Sequence, residues 1–311
     1  MTYICKRLLW LIPIFFGITC LTFGLMHLVG GDAVSYFYEN QGQAVPQSVI
    51  DGARHRYGLD QPLWVQYGKW IWGLLHGHLG ISFITGEEVG PLFLSKLPHT
   101  IYLAAVSLVL TLFVSLPLGI LSAIYKNRGI DYGIRFLSFI GNSVPDFLVA
   151  IFLIFFLAVK YHFFSVIAIG REPSVVLPAL TLSIAMSAKY IRQIRVVLLE
   201  ELGKGYVVGA YCRGISPLVI LFRHVIPMAC PAIITLLALS AGSLLGGTVI
   251  VETIFQWDGI GKLAVDAIMQ RDYPIIEAYV VWMAFIYVLV NLLGDMAQYA
   301  LDPRVRRKDE A

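Results

Sequence analysis

Long apolar runs separated by shorter polar stretches set the pattern of this chain. Six of the runs reach the length of about 20 mostly apolar residues that a membrane-spanning helix needs. Because backbone groups in lipid must find their hydrogen bonds within the segment, each run is predicted to be a helix. The fold class is therefore predicted to be all-α and polytopic, with six transmembrane helices. The predicted spans are residues 8–29, 100–125, 136–159, 175–194, 230–251 and 278–300.

The composition and the positions of the charges support a membrane protein and suggest its orientation. Only 14% of the residues are charged, whereas a soluble domain carries about 25%. With the N-terminus in the cytoplasm, most of the 23 Lys and Arg residues, including those of the tail DPRVRRKDEA, fall on the cytoplasmic side, as the positive-inside rule requires. We therefore expect both termini in the cytoplasm and an uncleaved first span. The fourth run is the weakest, since Lys189 and Arg192 lie inside it.

The whole chain, residues 1–311, is predicted to form one transmembrane domain, whose longest loop, residues 31–98, is an outer cap. Within the cap, residues 46–57 are expected to form a short helix that Gly58 stops, and Pro62 is expected to start a second one. The second helix carries Trp64 and Trp70 among several aromatic residues. Aromatic side chains favour the membrane–water interface, so we expect the cap to contact membrane lipid.

The most informative segment is the polar stretch at residues 199–227, between two strongly apolar runs. It combines helical periodicity with small residues at Gly209, Ala210 and Gly214 and with basic residues at Arg213 and Arg223. Small residues allow a close approach of another backbone. The pattern predicts a folded docking surface on the cytoplasmic side, and the alternative is an amphipathic loop helix lying on lipid headgroups.

The same segment resembles the EAA loop of bacterial ABC-importer permeases. That family's pattern is Glu-Ala-Ala, three residues, Gly, nine residues and Ile-x-Leu-Pro. The chain matches the pattern at Ala210, Gly214 and Pro227, and nearly at Ile226, with departures at Val208, Gly209 and His224. The resemblance implies a cytoplasmic coupling loop that docks on an ATPase. Its candidate residues are Gly209, Ala210, Gly214, Ile215, Phe222, Arg223, His224 and Pro227.

Further motifs extend the resemblance over nearly the whole chain. YGLDQPLWVQYGKW, HLGISF, GGTVIVETIFQWDGIGKLAVDAIMQRDYP and ALDPRVRR look like the dipeptide, oligopeptide and nickel branch of that family. HLGISF and QRDYP look closest to the first permease subunit of nickel-type importers. The resemblance therefore implies transport of nickel or another transition metal, as a chelate held by a metallophore, and the alternative is a dipeptide or oligopeptide permease.

The resemblance also implies a type I ABC importer permease fold, a bacterial cytoplasmic (inner) membrane location and a set of partners. These are a second homologous permease in a heterodimer, two ATP-binding subunits and an extracytoplasmic substrate-binding protein, without nucleic acid. The sequence contains no G-x-x-x-x-G-K-[ST] phosphate loop, so ATP is expected to be used by the partners. The chain is expected to bind no cofactor, to hold no catalytic or metal site and not to be an enzyme.

Small and polar residues inside the spans are further candidates for the transport path or for helix packing. Gly242, Gly246 and Gly247 give one face of the fifth span small residues, which permit close helix crossing. Asn291 and Asp295 lie four residues apart in the sixth span and share a face. Polar groups inside a membrane tend to face a cavity or a partner, so either role is open for both sets.

The remaining polar and sulfur residues favour ordinary structural roles. His76 and His78 are too few for a metal site, which needs three or four ligands. Asp146 follows Pro145 and is expected to cap a helix or to line the path. The cysteines Cys5, Cys20, Cys212 and Cys230 form no CxxC pair, so neither a disulfide nor a zinc site is expected. An integral membrane enzyme and a secondary transporter remain as rival classes.

Overall fold

The computed structural model describes residues 2–28, 46–164 and 174–301. These residues form twelve α-helices, and the extended structure among them is an isolated bridge between Ile81 and Glu88. The all-α prediction is confirmed for this part of the chain. The helices are α1 Thr2–Leu28, α2 Gln47–Tyr57, α3 Leu63–Leu75, α4 Val89–Ile124, α5 Gly129–Ser143, α6 Asp146–Leu153, α7 Val176–Leu202, α8 Gly205–Cys212, α9 Pro217–Ile220, α10 Ile226–Ile254, α11 Ile260–Gln270 and α12 Tyr273–Leu301.

The two short helices predicted for residues 46–75 are confirmed. Helix α2 ends at Gly58, whose φ of 70° is in the left-handed region that glycine adopts without strain. Helix α3 follows Pro62, which has no backbone N–H and is tolerated where a helix begins. The backbone preferences of Gly58 and Pro62 therefore set the end of α2 and the start of α3.

The prediction of six spans is corrected to three, or four, among the described residues. Three helical stretches are long and apolar enough to cross a membrane: Val89–Ile124, Pro217–Leu237 and Tyr273–Gly294. The described apolar part of α1, Phe15–Leu28, is shorter than the roughly 20 residues that a span needs. Helix α7 does not qualify either, because Lys189, Arg192 and Arg195 lower its mean hydropathy.

The predicted third span is broken in the middle. Helices Gly129–Ser143 and Asp146–Lys160, the latter comprising α6 and a π-helical turn, meet at an angle of 99° and count as a fourth span if they are taken together. Val144 has an extended backbone before Pro145, because a residue preceding proline is pushed out of the helical region. Asp146 is then the first residue of α6.

The fourth and fifth predicted spans have different bounds in the structure. Helix α7 continues to Leu202, eight residues beyond the predicted end. The helical run that contains the fifth span begins at Pro217 rather than at residue 230. The predicted cytoplasmic tail, residues 302–311, lies outside the described residues, so the location of the termini stays a prediction.

The chain divides into two compact units: residues 1–100 with 258–286, and residues 101–257 with 287–311. In the first unit, Val89 and Phe93 of α4 pack with Ile260 of α11 and Ile276 of α12. In the second unit, one core cluster gathers around Tyr190 of α7, and another around Leu103 and Trp257. Close packing of these side chains holds the helices of each unit together.

Candidate functional site

The 199–227 segment folds as two short helices, α8 and α9, that lie next to the end of α7. Their inner faces are apolar and fully buried, with Val207 and Ala210 of α8 and Ile220 of α9 in one cluster with Ile194 and Leu198 of α7. Lys204 precedes α8 and its Nζ donates to Glu201, which also accepts a hydrogen bond of 3.1 Å from the Tyr206 hydroxyl. The segment is therefore a packed element rather than a loose loop.

The outer face of the same two helices is also apolar, and it is exposed. Val208 is 56% exposed on α8, Leu218 is 66% exposed on α9, and Phe222 is 62% exposed just after it. Tyr211 and Val219 are exposed as well. Large apolar side chains that cluster on a surface mark an interaction site or a lipid contact. We call this face, formed by Val208, Tyr211, Leu218, Val219 and Phe222, the outer apolar face.

Two glycines shape the segment in different ways. Gly214 has a φ of 77° between α8 and α9, a conformation that a side chain would strain. Gly209 lies within α8, is exposed, and has open space where a Cβ would stand. Ala210, next to it, is buried. The chain itself therefore requires glycine at position 214 but not at position 209.

Beyond α9 the chain stays helical into α10. Residues Leu221–Val225 form a π-helical turn, in which the Ile226 N–H donates to the Leu221 carbonyl. Pro227 follows at the start of α10. A proline removes one N–H and its ring crowds the preceding turn, and a π turn is one way to accommodate that. Ile215 is half-buried before α9, Arg223 is exposed, and His224 is half-buried within the π turn.

A buried ion pair joins α5 to α7 in the same unit. Arg195 donates from Nε and from a terminal nitrogen to the two oxygens of Asp131, each at 2.8 Å. The same carboxylate accepts the Ser122 hydroxyl at 2.5 Å and the Asn127 N–H at 2.9 Å. A bidentate pair whose remaining lone pairs are satisfied is a strong and specific contact. Sequence patterns do not predict this pair, because its members lie 64 residues apart.

The candidate path residues fall in α10 and α12. Gly242 is buried, and a Cβ there would lie 3.1 Å from the Tyr287 ring, so α10 approaches α12 closely at this point. Gly246 is exposed and has open space around it. Gly247, Asn291 and Asp295 belong to these helices, but the surroundings of Gly247 and the side chains of Asn291 and Asp295 lie outside the described part of the chain. A role in the path or in packing therefore stays a prediction for all five residues.

HLGISF and QRDYP, the two motifs that resemble those of nickel-type importers, meet in one buried junction. Ser82 of HLGISF donates its hydroxyl to Asp272 of QRDYP at 2.5 Å, and the Phe83 N–H donates to the same carboxylate at 3.1 Å. The Ser82 oxygen in turn accepts the N–H groups of Ile84 and Thr85. Burial raises the pKa of Asp272, and the hydrogen bonds from Ser82 and Phe83 oppose that shift. The junction, which we call the Ser82–Asp272 junction, organises the turn before α4.

The histidines and cysteines considered above have ordinary surroundings. His76 follows α3, contacts Trp72 with ring centroids 4.4 Å apart and the rings tilted by 44°, and bonds through Nδ1 to the Trp72 carbonyl. Among the described residues, Cys20, Cys212 and Cys230 are free thiols, and no group of three or more metal-binding side chains occurs. Cys5 lies outside the described side chains.

Solved structures share this arrangement of helices. The chain is similar to a chain of the methionine ABC transporter MetNI in inward-facing conformations, with a TM-score of 0.57, 16% identity, and coverage of 68% of this chain and 96% of that one. It is also similar to an amino acid ABC transporter crystallised with histidines, with a TM-score of 0.51 and 17% identity over 69% of this chain and 94% of that one. The fold is that of type I ABC importer permeases.

Family models cover nearly the entire sequence. Residues 115–307 match the binding-protein-dependent transport system inner membrane component, and residues 1–104 match the N-terminal part of such membrane components. The chain belongs to this family of inner-membrane ABC importer permeases. Members of the family are transport subunits that work with a partner permease, ATPases and a substrate-binding protein.

Three relatives match the chain from end to end. The oligopeptide transport system permease protein AppB of Bacillus subtilis (strain 168) is 37% identical over 97% of this chain and 98% of its own length. The glutathione transport system permease protein GsiC of Shigella flexneri serotype 5b (strain 8401) is 31% identical, covering 99% and 100%. The dipeptide transport system permease protein DppB of Escherichia coli (strain K12) is 31% identical, covering 98% and 99%.

Proposed function

We propose that this chain is a permease subunit of an ABC importer for short peptides and forms half of the translocation path. The observation that carries the proposal is the set of relatives that match it over 97% or more of its length, an oligopeptide, a dipeptide and a glutathione permease. Peptides are the substrate class that these three names share.

The preference for nickel is not supported, and the peptide alternative replaces it. The three relatives reported above carry peptide substrates in their names. HLGISF and QRDYP, on which the preference depended, contribute Ser82 and Asp272 to a buried junction. Side chains that satisfy one another inside the protein are explained by folding and carry no information about a transported metal.

The proposed assembly contains a second, homologous permease, two ATP-binding subunits and an extracytoplasmic binding protein. Dependence on a binding protein is part of the family's description. Both termini and the 199–227 segment are assigned to the cytoplasm, which the excess of Lys and Arg on that side supports. ATP is used by the partner subunits, and this chain binds no cofactor.

The 199–227 segment is proposed to dock on an ATPase subunit. Three features of its structure support that role: a buried inner face that fixes the helices to α7, an outer apolar face that is exposed, and Arg223 beside Phe222. Interface hot spots favour aromatic and arginine side chains within an apolar patch. ATP-driven closure of the ATPases would move α8 and α9 and thereby switch the access of the path.

Uptake in cells that lack this chain tests the substrate. Cells carrying the chain on a plasmid and cells carrying an empty plasmid are given a radiolabelled dipeptide or radiolabelled nickel, the nickel with and without candidate chelators. We expect the plasmid-borne chain to restore dipeptide uptake and to leave nickel uptake unchanged. Restoration of nickel uptake alone would contradict the peptide assignment.

A further inference from the structure

The first unit contains a cavity that the transport function described so far does not use. It has a volume of about 470 Å³, within the range of small-molecule sites. Its walls come from α1, α2, α3, the turn at residues 80–83 and the beginning of α12, all within one compact unit. Aromatic side chains, including Phe23, Trp70 and Tyr273, supply much of its apolar surface.

A carboxylate without a partner lies in the cavity wall. Glu277, in the second turn of α12, is only 5% exposed, and among the described residues it has neither a hydrogen bond nor an ion pair. The other buried acid of this region, Asp272, has its oxygens satisfied by Ser82 and Phe83. An unpaired buried carboxylate is costly, so a glutamate at this position fits a site that receives a cation.

Two further polar atoms of the cavity wall are buried and unpaired in the described structure: Gln61 Oε1, an acceptor, and Trp70 Nε1, a donor. Two other polar side chains of the wall already have partners. Gln66 donates to the carbonyls of Leu59 and Gln61, and His27 bonds to the Phe23 carbonyl and to Gln66. The cavity therefore offers two acceptors to an incoming donor, and one donor to an incoming acceptor.

Basic side chains lie at the accessible part of the same wall. Arg56 and Lys69 are exposed, whereas Glu277 is buried. A molecule with a positive group at its inner end and a negative group at its outer end would complement this distribution. A short unblocked peptide has that charge pattern, and its carbonyl and side chains suit an indole N–H and aromatic walls.

We propose that this cavity binds a short peptide by its amino-terminal end. The ammonium group is held by Glu277 and Gln61 Oε1, the first peptide carbonyl accepts the Trp70 Nε1–H, and the carboxylate lies towards Arg56 and Lys69. The choice of a peptide rests on the function proposed above, whereas the requirement for a cation next to an acceptor rests on the unpaired groups alone. The site gives this subunit its own contact with the cargo, inside its first unit.

Binding of alanyl-phenylalanine to the full-length chain in lipid nanodiscs tests the proposal, with the N-acetylated dipeptide as the ligand that lacks the ammonium. We expect the unblocked dipeptide to bind, and Glu277→Gln to weaken that binding by about tenfold or more, since a charge-assisted contact is lost. Acetylation should weaken binding to the wild-type chain similarly and add little to the effect of Glu277→Gln. The matched control is Glu87→Gln, an exposed acid of the same unit, which should leave binding unchanged.

Two results would overturn the site: no binding of the unblocked dipeptide to the wild-type chain, or equal binding to Glu277→Gln. If that variant fails to fold, weaker binding of the acetylated ligand to the wild-type chain tests the contact with the ammonium group, and Trp70→Phe, which removes the indole donor together with part of the ring, should also weaken binding. Uptake by the assembled importer separates this proposal from the proposed function. Peptide uptake with unchanged binding to Glu277→Gln refutes the site alone, whereas peptide binding without peptide uptake refutes the proposed function.

Discussion

The 199–227 segment and the Ser82–Asp272 junction both contain stretches that resemble motifs of ABC-importer permeases, but key side chains of the first are exposed and those of the second are buried. In the 199–227 segment, Leu218 and Phe222 are apolar and exposed. In the junction, Ser82 and Asp272 are polar and buried, and they bond to each other. The first pattern leaves apolar surface for another molecule, and the second satisfies polar groups within the chain.

The exposure of a motif's side chains therefore indicates whether the motif serves binding to a partner or the fold of the chain. An apolar side chain gains nothing for its own fold by staying exposed, so a cluster of them points to a contact outside the chain. A buried hydroxyl that donates to a carboxylate is accounted for by its role in the fold alone. The resemblance of HLGISF and QRDYP to one transporter branch was therefore a weak guide to substrate.

Asp272→Ala disrupts the buried Ser82–Asp272 junction, and we expect the largest effect from this substitution. The substitution leaves the Ser82 hydroxyl and the Phe83 N–H buried without their acceptor, at an expected cost of about 3 kcal/mol in the free energy of unfolding. Thermal unfolding of the purified chain in nanodiscs measures the loss. Asp266→Ala, at an exposed position of α11, is the control and should unfold like the wild type. Equal stability of the two variants would contradict the assignment of the junction as structural.

Gly209→Glu places a charge on the exposed side of the 199–227 segment without disturbing the fold of the chain. Because a Cβ at Gly209 has open space, we expect normal insertion and stability but a loss of transport of roughly 100-fold, as a charge enters a desolvated interface. Peptide uptake and protein level are measured in the same cells. Gly209→Ala is the matched control: it adds the residue that the EAA pattern has there and should transport normally. Substitution at Gly214 is a poorer test, since its positive φ makes any side chain a source of strain.

Phe222→Ala is the mildest of the three changes and sharpens the comparison within the outer apolar face. Its side chain is mostly exposed, so stability should stay unchanged while peptide-stimulated ATPase activity falls by roughly five- to tenfold, as for an interface anchor. ATPase activity of the reconstituted importer is the measurement. Met269→Ala, an exposed apolar residue of α11, is the control. A loss of stability without a loss of coupling would argue against a docking role.

Local signals in the sequence predicted much of the helical fold. Gly58 and Pro62 fixed the boundaries of α2 and α3, because their backbone preferences act within one or two residues. The number of spans was wrong because apolar length ignores geometry and charge. Pro145 bends one predicted span by 99°, and Lys189, Arg192 and Arg195 reduce the hydropathy of another.

The candidate site was predictable only where the signal was contiguous. The 199–227 segment was located from its small residues and spacing, but which residues face outwards depends on packing against α7, as the buried Ala210 shows. The pair Asp131–Arg195 and the cavity around Glu277 join residues that are far apart in the chain. Periodicity and short motifs carry no information about such contacts.

The unbroken helical path from Pro217 to Leu237 has a mechanical consequence. At about 1.5 Å per residue, these 21 residues form a rod on the order of 30 Å long. If the 199–227 segment docks as proposed, a continuous rod with Phe222 near one end would transmit a displacement of that end along the helix, whereas a flexible hinge would absorb it. Along that rod, the π turn at Leu221–Val225 departs from regular α-helical hydrogen bonding, and Pro231 inside α10 removes a further N–H donor. The geometry of these two irregularities would determine how much of a displacement at Phe222 reaches the far end of the helix.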